Sequence, residues 1–399
     1  MRIRQVVFVT SLILCLMQFY VPLNAWTVEG HSVVATRAIR LLPQPWRTFF
    51  QYYGWLVNET VAYPDTLYRG NDPSEAPRHF ADLEVWTPND PLTGTLPQSV
   101  NEFAMKMETA IRSRDWNSMF LHAGRVAHYM ADDTQPYHST KHYNPTTKNG
   151  VGLHQVLDAS MTDHLAELHI IDESQISQLT PISNLTQFAL DTAVQSHSFL
   201  SIINRTLIDQ NLPWSPELTR IIENRTNTAI LAVARVWWTA MASVNIMPPD
   251  VPKTNSLSIM MESFQINQNG VRTIRVGVVD ALGIRTHATV TLTVDGTTYR
   301  GQVANVIPPV GEYVIVLGAG NYNGGFSVRA LKTGYASGIL EISTGASSTV
   351  QQIQTYATVK STSLDLATVN FPTVQLAELA VLIVAVLTLV WFRRMLRGS

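Results

Sequence analysis

The segment HYMADDTQPYHSTKHYNPTTKNGVGLHQVLD, residues 128–158, is dense in potential zinc ligands. It holds two His-x-x-x-Asp pairs, His128 with Asp132 and His154 with Asp158, and another histidine, His138, between them. Residues four apart lie on one face of a helix, so each pair can direct an imidazole and a carboxylate at the same ion. Imidazole nitrogen with carboxylate oxygen is a ligand combination that suits zinc.

A single His-x-x-x-Asp pair is typical of an ordinary hydrogen bond or ion pair on a helix surface. Two pairs with a third histidine between them favour a metal cluster instead. Pro136 follows the first pair and ends its helix, so His138 lies on a turn that can fold back toward the ion. The segment therefore predicts a metal centre built from two helices and the loop between them.

Length and charge set the broad class of protein. A chain of 399 residues is long enough for two domains that each bury a core. Its formal net charge of -2 supplies no overall field that would attract nucleic acid or an anionic membrane surface. Any binding specificity must come from a local site.

The N-terminal residues 1–25 have the pattern of a secretory signal: Arg2 and Arg4, an apolar run, and a cleavage site after Ala25. An uncleaved N-terminal anchor is the alternative. The sole cysteine, Cys15, lies inside this segment, so the mature chain would contain no disulfide.

The C-terminal residues predict a membrane anchor. Residues 374–392 are apolar over a length that can span a bilayer, and the basic tail 393–399 would lie on the cytoplasmic side. Residues 358–373 form a Ser/Thr-rich spacer. The expectation is an exported, single-pass protein of the cell membrane, with its catalytic domain outside and its C-terminus in the cytoplasm.

Between these ends the composition changes once. Residues 26–247 show helical periodicity, for example over 99–112 and 116–131, and predict an all-α domain. The prolines near 248 stop helix formation. Residues 255–357 then contain short, alternating, β-branched runs, which predict an all-β, immunoglobulin-like sandwich.

Nine residues of the helical region occur in an order that resembles the zinc-dependent phospholipase C family and the related fungal and plant single-strand nucleases. These are Trp26, His31, Asp65, His79, His128, Asp132, His138, His154 and Asp158. The resemblance covers residues 26 to about 244. It implies an α-helical fold that binds three Zn²⁺ ions.

The resemblance also implies which residues bind each ion. The first zinc would be held by Asp65, His79, His128 and Asp132. The second would be held by His31, by Asp132 as a bridge, and by the free amino group and carbonyl oxygen of Trp26. The third would be held by His138, His154 and Asp158.

The implied reaction is phosphodiester hydrolysis by an activated water. Asp65 could also orient that water, which makes it the candidate general base. Residues proposed to contact substrate or support the ligands are Arg69, Asp82 and Glu29.

The sequence leaves the substrate open. The spacing from Asp65 to His79 and the short loop from His138 to His154 are similar to those of the bacterial phospholipases, whereas Asp158 in place of Glu is similar to the nucleases. The predicted membrane anchor favours a phospholipid head group. A single-strand nuclease or nucleotidase is the alternative, with nucleic acid as substrate only, and a non-catalytic surface binding protein is a third possibility.

Overall fold

The computed structural model describes residues 27–146, 150–172, 178–209, 215–304, 310–320, 322 and 325–342. In these ranges the chain is helical as far as Ala242 and forms strands from Ser258 onward. Several predicted segments lie outside the described residues: the signal 1–25, Trp26, the end of the β region at 343–357, the spacer 358–373, the apolar segment 374–392 and the tail 393–399.

The helical part contains α-helices of very different length. They are α1 (Val28–Leu41), α2 (Trp46–Tyr52), α3 (Gly54–Thr60), α4 (Leu96–Ser113), α5 (Trp116–Thr134), α6 (Leu153–Asp163), α7 (Leu185–His197), α8 (Leu200–Asn204) and α9 (Pro216–Ala242). Short π-helical turns cover Pro64–Tyr68 and Arg205–Asp209, and short 3₁₀ turns cover Ala76–His79, Pro136–Ser139 and Leu165–Glu167.

Side-chain caps mark where α1, α5 and α9 begin. Thr27 accepts a hydrogen bond from the Gly30 amide at α1, and the carboxylate of Asp115 accepts one from the Ser118 amide at α5. Ser215 does the same for α9. Each cap satisfies a backbone N–H that has no partner inside the helix. The local sequence therefore determines the start of α1 and α5, which carry His31, His128 and Asp132.

Helix α5 is the centre of the helical part. It packs against α3, α4 and α9. Every residue from 126 to 140 is buried, which includes the last two turns of α5 and the 3₁₀ turn that follows. A helix buried on all sides places its polar residues in the core, where each needs a partner. The candidate ligands His128 and Asp132 are among them.

Close packing of α5 on α3 depends on Gly124. A Cβ atom at this position would lie 2.8 Å from the carbonyl carbon of Thr60. We expect Gly124→Ala to lower the free energy of unfolding by about 1–3 kcal/mol, because the two helices must move apart. Thermal melting of Gly124→Ala beside Gly54→Ala tests this, since a Cβ at Gly54 would meet only Ile39 Cδ1 at 3.8 Å. Equal melting temperatures for the two variants would contradict the prediction.

The β part is a sandwich of two four-stranded antiparallel sheets. Its strands are β1 (Ser258–Ile266), β2 (Arg272–Val279), β3 (Thr289–Val294), β4 (Thr297–Arg300), β5 (Gln302–Val303), β6 (Glu312–Leu317), β7 (Phe326–Leu331) and β8 (Gly338–Ile342). One sheet has the order β1-β2-β6-β5 and the other β4-β3-β7-β8. Alternate residues of both sheets point inward and form one apolar core, as the alternating sequence predicts.

The loop between β2 and β3 attaches the sandwich to the helical part. Ile284 is fully buried and belongs to the helical core. Tyr53 Oη donates to Asp280 Oδ2 at 2.7 Å, and Asn117 both donates to the Gly283 carbonyl and accepts from the Arg285 amide. Because these polar groups are paired across the contact, the two parts are held in a defined arrangement.

The prediction of a single-pass membrane topology is wrong for the part of the chain that the structure describes. No helix among them is both long and apolar enough to cross a bilayer. The longest, α9, carries charged side chains outside its buried face, among them Arg220, Glu223 and Arg235, and its apolar face packs against other helices. The apolar segment 374–392 itself lies outside the described residues.

Candidate metal centre

Separate elements bring eight of the predicted ligands into the core of the helical part. His31 lies on α1, Asp65 in the first π-helical turn, His79 at the end of a 3₁₀ turn, His128 and Asp132 on α5, His138 in the next 3₁₀ turn, and His154 and Asp158 on α6. The ninth, Trp26, lies outside the described residues. The side chains of these eight residues are almost completely buried.

The two His-x-x-x-Asp pairs have the same geometry. His128 Nε2 lies 3.4 Å from Asp132 Oδ2, and His154 Nε2 lies 3.4 Å from Asp158 Oδ2. The equal distances follow from the i, i+4 relation on a helix. Local helix geometry alone is enough to bring the members of each pair together.

A central group of four side chains surrounds a point next to α5. His79 Nδ1 lies 3.0 Å from Asp132 Oδ2, 3.2 Å from His128 Nε2 and 3.7 Å from Asp65 Oδ1. Asp65 Oδ2 lies 3.8 Å from His128 Nε2. Ligand atoms about 2.0–2.1 Å from a tetrahedral zinc lie about 3.3 Å from one another. The separations in this group suit a single ion.

The carboxylate of Asp132 lies between His31 on one side and His79 with His128 on the other. Its Oδ2 atom faces His79 and His128, whereas its Oδ1 atom is 3.4 Å from His31 Nε2. The His31 ring stacks on the His128 ring, with 4.0 Å between their centroids. A carboxylate in this position can bridge two ions.

A third group lies where α6 meets the turn after α5. His154 Nε2 is 3.0 Å from His138 Nε2 and 3.4 Å from Asp158 Oδ2. The other oxygen of Asp158 accepts a hydrogen bond from Gln135 Nε2 at 2.6 Å. Asp132 Oδ2 is 4.0 Å from His138 Nδ1, so the third group adjoins the central one.

Backbone carbonyl groups set the tautomers of three histidines. The Nδ1–H groups of His128, His138 and His154 donate to the carbonyls of Val61, His79 and Tyr143. A carbonyl oxygen can only accept, so Nδ1 carries the proton and Nε2 carries the lone pair. At 3.0 Å the lone pairs of His138 and His154 would repel each other unless a cation or a proton lies between them.

Burial determines the protonation of the site. Desolvation lowers the pKa of His31 to about 3 and that of His154 to about 4, and holds the pKa values of His79, His128 and His138 well below the usual range. Burial also raises the pKa of Asp65 to about 6, against the opposing effect of Arg69, and those of Asp132 and Asp158 well above the usual range. The imidazoles are therefore neutral and available as ligands.

Several polar atoms of the site have no hydrogen-bond partner. They are both ring nitrogens of His31, Nε2 of His79, and one oxygen each of Asp65, Asp132 and Asp158. Leaving so many buried polar atoms unpaired is costly, about 1–3 kcal/mol for each group. Zinc would satisfy one ring nitrogen of His31 and these carboxylate oxygens, so the residues present fit the ion that the sequence implies.

The three predicted supporting residues have different positions. Arg69 Nη1 donates to Asp65 Oδ1 at 3.2 Å and is one-third exposed, so it can reach both the site and solvent. Asp82 is half-buried, and burial together with Glu84 raises its pKa. Glu29 is exposed in the first turn of α1.

Two supporting side chains do not follow from the sequence pattern. Gln135 binds Asp158, and Glu75 lies in the core beside His79. Glu75 precedes His79 by four residues, which is the only local signal for it. Its other partners, Arg125 and Tyr129, come from α5 and could not be identified from spacing.

Comparisons with known proteins give a distant structural likeness. No family model matches the sequence, and no curated protein is similar to it. The α-toxin of Clostridium perfringens from an avian strain aligns with a TM-score of 0.42 at 11% identity, over 77% of this chain and 87% of that one. The α-toxin of Clostridium absonum gives 0.39 at 13%, over 80% and 93%. At these scores the likeness carries no argument about the site.

Proposed function

We propose that this protein is a zinc-dependent phosphodiester hydrolase that cleaves phospholipid head groups as a phospholipase C does. The observation that carries the proposal is the position of Asp132, whose Oδ1 atom faces the buried imidazole of His31 and whose Oδ2 atom faces those of His79 and His128. A purely structural zinc has a closed shell of protein ligands. A carboxylate shared between neighbouring groups is instead suited to a cluster with positions left for water and substrate.

Zinc bound at these residues would polarise a phosphoryl oxygen and lower the pKa of a water molecule. The residues of the chain supply the rest. Asp65 has one oxygen without a partner, and with a pKa of about 6 it is largely ionised at neutral pH, so it can accept a proton as water attacks phosphorus. Arg69 binds the other oxygen of Asp65 and offers positive charge to a phosphate.

Exposed apolar side chains on two loops near the site favour a lipid as substrate. Two loops adjoin the third group, one after His79 and one between His138 and His154, and Glu84 joins them by accepting from the Thr140 hydroxyl and the Lys141 amide. Exposed apolar side chains occur on both loops: Val85, Leu92, Tyr143 and Val151. Exposed apolar side chains suit contact with the acyl chains of a phospholipid.

Single-stranded nucleic acid is the second candidate, and Tyr143 favours it. The ring of Tyr143 is 50% exposed and lies edge-on to His154, with 6.3 Å between the centroids. An exposed aromatic ring beside a metal centre can stack on a base.

We also infer that the β part is an immunoglobulin-like sandwich. The strand orders β1-β2-β6-β5 and β4-β3-β7-β8 correspond to the A-B-E-D and C′-C-F-G sheets of that fold.

Incubation of the protein with phospholipids and with single-stranded DNA tests the proposed function. Purified protein should release diacylglycerol from phosphatidylcholine or phosphatidylethanolamine when supplied with zinc, and a chelator should abolish the release. Single-stranded DNA belongs in the same experiment, because nucleotide release without diacylglycerol would select the nuclease. If the zinc-loaded protein hydrolyses neither substrate, the proposed function is wrong.

A further inference from the structure

Glu75 is a fully buried carboxylate held in place from several sides. Its Oε2 atom accepts from Arg125 Nη2 at 2.5 Å, and its Oε1 atom accepts from the hydroxyl of Tyr129. Arg78 Nε adds positive charge at 3.9 Å from Oε2. A buried carboxylate with this much support is fixed in one orientation.

The arginine that binds Glu75 is itself immobilised. The guanidinium carbon of Arg125 lies 4.2 Å from the centroid of the Tyr68 ring and 4.0 Å from that of Phe103. Cation–π contacts of this kind hold the guanidinium between the rings. Glu75 is therefore connected rigidly to α5, which also carries His128 and Asp132.

His79 directs a different ring nitrogen at the metal centre from the one that His128, His138 and His154 direct at it. Those three direct Nε2 at the site and donate Nδ1–H to a carbonyl. In His79 the Nδ1 atom faces Asp132 and His128, and Nε2 points to the other side, where it has no hydrogen-bond partner. The Oε1 atom of Glu75 lies 3.7 Å from that Nε2 atom.

The backbone at His79 also positions the third group. Its carbonyl accepts from His138 Nδ1, and two residues later the Ala81 amide donates to the His138 carbonyl at 2.9 Å. Glu75 immediately precedes the 3₁₀ turn Ala76–His79, and the Arg78 amide donates to its carbonyl. A shift of Glu75 would therefore be transmitted to both groups.

We propose that Glu75 is a positioning residue that holds His79 as an Nδ1 ligand of the metal centre and aligns its backbone with His138. The inference rests on the zinc centre of the proposed function. A histidine that binds metal through one nitrogen usually presents its other N–H to a carboxylate or carbonyl, which fixes the tautomer and the ring. Glu75 is the carboxylate beside His79 Nε2, and no backbone carbonyl pairs with that atom.

Zinc affinity measured without substrate tests this role. Metal-free protein is titrated with zinc against a chromophoric chelator, and we expect Glu75→Gln to weaken at least one site by about 10–100-fold, the usual cost of losing such a partner. Glu102→Gln is the matched control, because Glu102 binds Arg78 at 2.5 Å from the far side and is 37% exposed. The control should retain the zinc affinity of the wild type within about 3-fold, well below the range expected for Glu75→Gln.

A second variant separates positioning from stability. Glu75→Gln leaves the charge of Arg125 uncompensated in the core, so the double variant with Arg125→Met should regain melting temperature but not zinc affinity. Recovery of both, or unchanged affinity in folded Glu75→Gln, would overturn the inference. If Glu75→Gln does not fold, Tyr129→Phe is titrated instead, and unchanged affinity there overturns it too. A wild type that binds zinc and hydrolyses nothing would refute only the proposed function.

Discussion

Asp132→Asn is expected to reduce phosphodiester hydrolysis by at least about 10³-fold in kcat/KM, which corresponds to about 4 kcal/mol of transition-state stabilisation. The reason is that one carboxylate lies between His31 on one side and His79 with His128 on the other, so its loss removes a ligand from two groups. The amide has nearly the same shape but no charge to offset two cations. Steady-state kinetics with a phospholipid or a soluble phosphodiester measure the loss, and metal analysis should show fewer bound ions.

The adjacent carboxylate provides the control. Asp133 is also buried, and neither of its oxygens has a hydrogen-bond partner. Burial raises the pKa of Asp133 well above the usual range, against the positive charge of Arg225, which lowers it. An amide has nearly the same shape as the carboxyl group. Asp133→Asn should retain hydrolysis within about 3-fold, far from the loss expected at Asp132. Equal losses in both variants would indicate a general packing defect.

The sign of the stability change also distinguishes the loss of a metal ligand from a packing defect. The pKa of Asp132 is raised in the folded protein, so its ionisation destabilises the metal-free fold as the pH rises above the unfolded value. At neutral pH, metal-free Asp132→Asn should be at least as stable as the metal-free wild type, while gaining less from added zinc. A packing defect would lower the stability of the metal-free variant instead.

Removal of metal is expected to cause the largest change in stability. Zinc at 100 times its dissociation constant adds about 2.7 kcal/mol for each site, so two sites contribute about 5 kcal/mol. At about 2–4 °C for each kcal/mol, the melting temperature should fall by about 10–20 °C in a chelator. Calorimetry with and without chelator measures the shift. The physical source is the set of buried nitrogens and carboxylate oxygens that have no other partner.

Add-back of different ions shows whether the effect is specific. Zinc should restore the melting temperature, whereas magnesium should not, because imidazole nitrogen is a poor ligand for a hard cation that prefers oxygen. A melting temperature that does not respond to the chelator would show that the buried groups are stable without metal.

The helical and β parts were predictable from the sequence because each depends on a short repeat. Apolar periodicity predicts a helix at 99–112, where the structure has Leu96–Ser113, and another at 116–131, where it has Trp116–Thr134. Both helices extend further than predicted, because Pro97 can begin a helix and the polar end of α5 is buried in the core. The predicted membrane topology is wrong for the described residues, among which no helix is long and apolar enough to cross a bilayer.

The local part of the site follows from the amino-acid sequence. His128 with Asp132 and His154 with Asp158 meet because 3.6 residues make one turn, and that geometry needs no other part of the chain. The other contacts could be found only in the folded protein, since contact between distant segments depends on packing rather than on spacing. Folding placed His31 against one oxygen of Asp132, directed His79 through Nδ1 rather than Nε2, and brought Glu75 to the unpaired side of that ring.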